Sequence, residues 1–164
     1  MTTPTFRIGF GTDIHRLVQG RRLIIGGVEI ESDLGAEGHS DADVLMHAAA
    51  DAVLGAMALG DLGTHFPDDE ERWRNAESSQ FLSYAVGLVR EKGYSIANID
   101  SVIDLETPKL RPSITEMREN LAAALAVDVD CVSVKAKTGE ALDAVGERQA
   151  VRAQVVVLLR EKIN

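Results

Sequence analysis

Asp13 and His15 stand one residue apart, just past a segment, residues 5–10, that reads as a strand. Side chains at i and i+2 of an extended chain point the same way, so both can reach one metal ion. His47, inside a helix expected over residues 40–59, can supply a third ligand. Two imidazoles and a carboxylate make a zinc-type donor set whose fourth position stays open for a substrate oxygen. With four histidines in the chain, an Asp-x-His pair also arises by chance. By itself it reads better as a turn cap beside ordinary polar residues than as a metal site.

The helix adds weight to the metal interpretation. Asp43, His47 and Asp51 recur at i, i+4 and i+8 on one face. Their neighbours are Ala, Val, Leu and Met, so the helix is expected to be largely buried. Buried carboxylates beside a histidine need a partner, and a metal would supply it. A carboxylate one turn from His47, Asp43 or Asp51, is expected to accept its second ring N–H and fix the tautomer.

Two glycine-bearing loops flank the helix: Gly35-Ala36-Glu37-Gly38-His39-Ser40 and the run from Gly60-Asp61-Leu62-Gly63 to Phe66-Pro67-Asp68. Glycines let backbone N–H groups approach an anion, and Ser40, read as the helix N-cap, adds the positive end of the dipole. His65 and Trp73 read as loop residues. Cys131, the only cysteine, reads as a buried, inert thiol in an apolar run.

Further elements must hold these groups in place. Residues 23–30, 96–105, 132–136 and 151–159 read as strands, and 77–92 and 112–126 as helices. Phe81, Leu82, Ala85, Leu88 and Val89 form the apolar stripe of one helix, and Ile114, Met117, Leu121 and Leu125 that of the other. The order favours an α+β fold, a mixed sheet with helices on one face.

Composition narrows the partners. The 164 residues carry 17 Lys+Arg against 26 Asp+Glu, a net charge of −9, with 45% hydrophobic residues. That is ordinary globular composition for one domain, residues 1–164. The negative balance argues against a nucleic-acid surface, and phosphate held by such a chain needs cations or backbone N–H groups. No signal-peptide core or membrane-length apolar run is read, so a cytoplasmic location is expected.

Several stretches then stand together in order: Gly9-Phe10-Gly11-Thr12-Asp13-Ile14-His15, Ile25-Gly26-Gly27-Val28, His39-Ser40-Asp41-Ala42-Asp43-Val44-Leu45-Met46-His47, Gly60-Asp61-Leu62-Gly63 and Phe66-Pro67-Asp68. Pro108-Lys109-Leu110 and Lys135-Ala136-Lys137-Thr138-Gly139-Glu140 continue the series. In these motifs the chain resembles the 2-C-methyl-D-erythritol 2,4-cyclodiphosphate synthases across nearly its whole length.

The resemblance implies a lyase that converts 4-diphosphocytidyl-2-C-methyl-D-erythritol 2-phosphate to the cyclic diphosphate and CMP. It also implies a homotrimer with active sites between subunits. Carried over by position, Asp13, His15 and His47 would bind Zn²⁺, and Glu140 a second ion, Mg²⁺ or Mn²⁺. His39 and Thr138 would stabilise the transition state, with Ser40 beside the 2-phosphate. Asp61, Leu62, Gly63, Phe66, Pro67, Asp68, Asp69 and Glu70 would close over the erythritol part. Leu105, Pro108, Lys109, Leu110, Arg111, Lys137, Thr138, Gly139 and Glu140 would face the cytidine side.

The alternatives are a zinc-dependent phosphohydrolase and a non-catalytic metal-binding trimer. One stretch departs from the commoner family pattern: Ala144 and Glu147 stand where many members carry an aromatic residue and an arginine. Neither of those two roles carries over.

Overall fold

The computed structural model describes residues 6–67, 73 and 76–162. Strand β1 (Phe6–Val18) is followed by the short strands β2 (Leu23–Ile25), β3 (Val28–Ile30) and β4 (Gly35–Ala36). Helix α1 (Val44–Ala56), the single-turn α2 (Leu62–His65) and α3 (Ser78–Glu91) come next. Strand β5 (Tyr94–Asp104), helix α4 (Ile114–Leu125), β6 (Val132–Lys137), the short α5 (Asp143–Gly146) and β7 (Ala150–Glu161) complete the order.

Five strands form one mixed sheet in the order β4-β1-β7-β5-β6. The long pairings of β7 with β1 and with β5 are antiparallel, whereas β5 and β6 run parallel. The three long helices cover one face, and α1 crosses β1 and β7. This is the α+β arrangement expected from the element order.

Strand β1 runs well past Phe10, the strand end expected from the sequence, and carries Gly9 and Gly11 on its inward face. Packing on that face explains both glycines. A Cβ on Gly9 would lie 1.9 Å from the Ala52 carbonyl oxygen, and one on Gly11 would lie 2.0 Å from that of Ala48. The glycines mark where the α1 backbone rests on the strand. Ten of the thirteen α1 residues are buried, five of them alanines, which permits that approach.

Residues 23–30 are two strands rather than one. Gly26 and Gly27 both adopt positive φ, 59° and 71°, and close a tight hairpin that only such residues make without strain. The main helix starts at Val44 with Asp43 as its cap, not at Ser40. Cys131 is half-buried in a 3-10 turn (Val129–Cys131), outside the core that its apolar neighbours suggested.

Among the described residues, nothing covers the opposite face of the sheet where β1 exposes large apolar side chains. Phe6, Ile8, Phe10 and Ile14 point outward from β1, with Val156 beside Phe10 on β7. Ile8 is 71% exposed and Phe10 60%. No described helix is long and apolar enough to cross a membrane.

Candidate active site

Asp13 and His15 occupy inward positions of β1 beyond the last contact glycine, and His47 lies in the first turn of α1 facing them. Asp43 fixes where that turn begins. Its carboxylate, 1% exposed, accepts the backbone N–H groups of Gly26, Leu45 and Met46 on one oxygen and of Gly27 on the other, at 2.6–3.1 Å. Burial pushes this carboxyl above its ordinary value, and the N–H donors oppose that. One side chain thus ties the β2–β3 turn to the helix start. It does not reach the His47 ring, which corrects the expected tautomer partner.

The three candidate ligands converge. Asp13 Oδ2 lies 2.9 Å from His15 Nε2 and 3.0 Å from His47 Nδ1, and the two nitrogens are 3.2 Å apart. Ligands about 2.0–2.1 Å from a tetrahedral zinc are separated by roughly 3.3 Å, so the set fits one ion with little adjustment. His15 Nδ1 donates to the Glu37 carbonyl oxygen at 3.0 Å, which leaves the Nε2 lone pair turned toward Asp13 and His47.

Electrostatics agree with the geometry. Burial pushes the Asp13 carboxyl up, yet when His15 and His47 turn ring N–H groups toward it their hydrogen bonds and charges hold it well below the carboxylate range; a metal ion would take the place of those protons. Burial pulls His15 down, and Asp13 more than restores it. Among the described residues this is the one cluster with donor spacing for a metal.

The triad lies on a cleft of about 720 Å³ lined also by His39, Ser40, Asp51, Leu62, Gly63, Phe66, Pro67, Trp73 and Phe81. Asp51 accepts the Leu62 N–H at 2.7 Å and so seats the start of α2 beside the cleft. Burial raises its carboxyl against that hydrogen bond. Phe66 packs on Phe81 at a 4.5 Å centroid distance and edge-on to Trp73 at 5.0 Å. Together they make an aromatic wall that the sequence did not announce. Trp73 belongs to that wall, and His65 sits in α2 with Nε2 donating to the Leu59 carbonyl oxygen.

Other expected site residues stand elsewhere. Asp61 caps α2, accepting the Thr64 N–H at 2.9 Å and hydroxyl at 2.8 Å, bonds that hold its carboxyl below its ordinary value. It is exposed beside the cleft rather than part of its lining. Asp68, Asp69 and Glu70 lie outside the described residues.

Thr138 and Glu140 form a second cluster at the far edge of the sheet, with the Thr138 hydroxyl donating to Glu140 at 2.5 Å. Gly139 N–H donates to Glu106 at 2.9 Å, and Leu105 N–H to the Lys137 carbonyl oxygen, so Leu105 and Glu106 join this cluster. Leu105 and Leu110 themselves are buried core side chains, leaving only their backbone for a ligand. Asp13, Ala153, Ile103 and Ala136 form one row across β1, β7, β5 and β6. Three interstrand steps of about 4.8 Å therefore hold the clusters roughly 14 Å apart within a chain.

In the atypical stretch, Arg148 pairs with Asp33 at 2.6 Å, and Glu147 accepts from Gln149 at 2.8 Å. Both residues precede β7.

Comparison with known proteins gives the same result along the whole chain. The model of the YgbB family matches residues 6–160. The 2-C-methyl-D-erythritol 2,4-cyclodiphosphate synthase of Salinibacter ruber is 53% identical over 94% of this chain and 98% of its own. A bifunctional enzyme IspD/IspF of Albidiferax ferrireducens is 55% identical over 96% of this chain, which spans only 38% of that relative's length. The solved IspF of Plasmodium falciparum, in complex with CDP, superposes with a TM-score of 0.86 at 33% identity, over 99% of this chain and all of its own. The chain belongs to the YgbB family, the 2-C-methyl-D-erythritol 2,4-cyclodiphosphate synthases, lyases of non-mevalonate isoprenoid biosynthesis.

Proposed function

We propose that the cleft performs the family reaction within one substrate. An oxygen of the 2-phosphate attacks the β-phosphorus of 4-diphosphocytidyl-2-C-methyl-D-erythritol 2-phosphate. The bond from that phosphorus to the bridging oxygen breaks, and CMP carries the electron pair away. The observation that carries this reading is the set of three donors at 2.9–3.2 Å on the wall of a cleft large enough for a phosphorylated sugar alcohol.

Phosphoryl transfer asks the protein mainly for positioning and charge neutralisation. Asp13, His15 and His47 would hold Zn²⁺, and Glu140 a Mg²⁺ or Mn²⁺. Such ions supply Lewis-acid polarisation of phosphate oxygens, which a chain of net charge −9 cannot supply with its own cations. His39 and Ser40 border the triad and orient the 2-phosphate. Leu62, Gly63, Phe66 and Pro67 exclude water over the erythritol part, with Asp61 at the rim; Asp68, Asp69 and Glu70 are assigned to this part by the family resemblance alone. Thr138 steadies the charge that develops on the diphosphate. Pro108, Lys109 and Arg111, with Lys137 and the backbone of Leu105, Leu110 and Gly139, receive the cytidine.

Because roughly 14 Å separates the clusters in one chain, a complete site needs the cleft of one subunit and the Thr138–Glu140 cluster of the next. The exposed apolar face of β1 and β7 supports a homotrimer of single-domain chains, and we place it in the cytoplasm.

Following the cytidyl substrate by ³¹P NMR with purified protein tests the reaction. The expected products are the cyclic diphosphate and CMP. Linear phosphates would point to a phosphohydrolase, and no turnover to a metal-binding scaffold.

A further inference from the structure

His47 has a second nitrogen, and its surroundings determine the state of the first. Nε2 points away from Asp13 and lies 2.7 Å from the hydroxyl of Ser78, the fully buried first residue of α3. That hydroxyl also makes a very short hydrogen bond to Asp41. Asp41 in turn accepts two backbone N–H groups, that of Ser78 at 3.0 Å on one oxygen and that of Asp43 at 3.1 Å on the other. The Asp41 N–H donates to the Ala76 carbonyl oxygen at 3.1 Å, closing the link between the 41–43 turn and the start of α3.

Counting protons settles the direction. A serine hydroxyl has one hydrogen to give, and a carboxylate that accepts on both oxygens has none. The Ser78 hydrogen therefore goes to Asp41, and the contact at 2.7 Å requires His47 to donate from Nε2. Nδ1 is then bare, 3.0 Å from Asp13 Oδ2 and 3.2 Å from His15 Nε2.

We infer that Asp41 and Ser78 are positioning residues, a carboxylate–hydroxyl relay that holds His47 as its Nε2–H tautomer with Nδ1 aimed at the metal position. The inference rests on the reading of Asp13, His15 and His47 as metal ligands. The relay replaces Asp43, the carboxylate one helical turn away, whose oxygens are committed to the helix start and the β2–β3 turn. It also gives α3 a purpose at the site: the helix delivers the hydroxyl on which the ring rests. Ser40, 3.2 Å from Nε2, already accepts the Ala42 N–H and lies farther from the ring than Ser78. It is the lesser partner.

Long-range ¹H–¹⁵N NMR of the zinc-free protein reads the tautomer directly, and chelator competition reads the zinc affinity. We expect a protonated Nε2 on His47 in the unmodified protein. Ser78→Ala should weaken zinc about 10-fold or more, the usual cost of losing the group behind a ligating histidine. Ser78→Thr, which keeps the hydroxyl, should recover the affinity, and Asp41→Asn should fall between. A His47 ring protonated at Nδ1 overturns the relay without any variant. So does a Ser78→Ala protein that binds zinc as tightly as the parent. Failure of the unmodified protein to bind zinc at all would instead remove the ligand set itself.

Discussion

Gly11→Ala is the substitution in which fold and site are most tightly joined. Its new Cβ would stand 2.0 Å from the Ala48 carbonyl oxygen, with Ala52 N at 2.6 Å. Both atoms are backbone, so no side chain can turn aside. Ordinary contact begins near 3.4 Å, and 3.4 − 2.0 leaves about 1.4 Å that α1 must retreat from β1. Overpacking of this kind costs roughly 1–3 kcal/mol, and a backbone clash belongs at or above the upper end. A loss of about 3 kcal/mol in a chain of this size lowers the melting temperature by roughly 6–12 °C.

The same displacement reaches the metal position. Ala48 follows His47 directly, and Gly11 is two residues from Asp13. Metal–ligand distances tolerate about 0.2 Å, so a 1.4 Å retreat separates His47 from the other two donors. Zinc content and melting temperature should therefore fall together. Gly87→Ala is the control: its Cβ meets nothing within 4 Å inside α3, so it should stabilise by about 0.5–1 kcal/mol with zinc unchanged. A Gly11→Ala protein with parental melting temperature and full zinc would show that α1 does not rest on β1 as described.

Three further outcomes are expected. Asp43→Ala strips the acceptor from four backbone N–H groups and should cost about 3 kcal/mol or more in denaturant unfolding, with Asp43→Asn milder; equal stability would refute the tie between hairpin and helix. Glu140→Gln should retain zinc but lose Mg²⁺ dependence of turnover, and Thr138→Val should lower kcat more than it raises KM; pure KM effects in both would leave them as binding groups. Phe10→Asp on the exposed sheet face should convert the proposed trimer to monomers in sedimentation velocity, and a trimer that persists would move the interface elsewhere.

Much of this architecture was legible in residue patterns. Strand alternation placed Asp13 and His15 on one side of β1, and the alanine-rich run around His47 announced a buried helix. The errors share a cause. Local rules treat a glycine as a breaker and the first serine before an apolar run as a cap. Gly11, just past the expected strand end, instead answers to a helix nearly forty residues away in the chain, and the cap position passed to Asp43, whose oxygens also take the Gly26 and Gly27 N–H groups. Neither demand is visible within a window of ten residues.

The candidate site was legible in proportion to how local it is. The Asp-x-His pair and the helix histidine share adjoining elements, and pattern alone brought them within reach of one ion. Ser78 lacks any motif of its own: it opens a helix whose other visible feature is a core stripe, and only the hydrogen count around Asp41 and His47 gives it a role. Thr138 and Glu140 are harder still, because the row from Asp13 through Ala153 and Ile103 to Ala136 keeps them three strands from the cleft. Within a single chain they stand roughly 14 Å from the metal ligands, too far for both to hold one diphosphate. The same sheet that separates the two clusters also leaves Phe6, Ile8, Phe10 and Val156 uncovered. Burying that face against other copies would remove the exposed apolar surface and could bring one subunit's cluster to the next subunit's cleft, so assembly and catalysis would draw on the same outward-facing residues of β1 and β7.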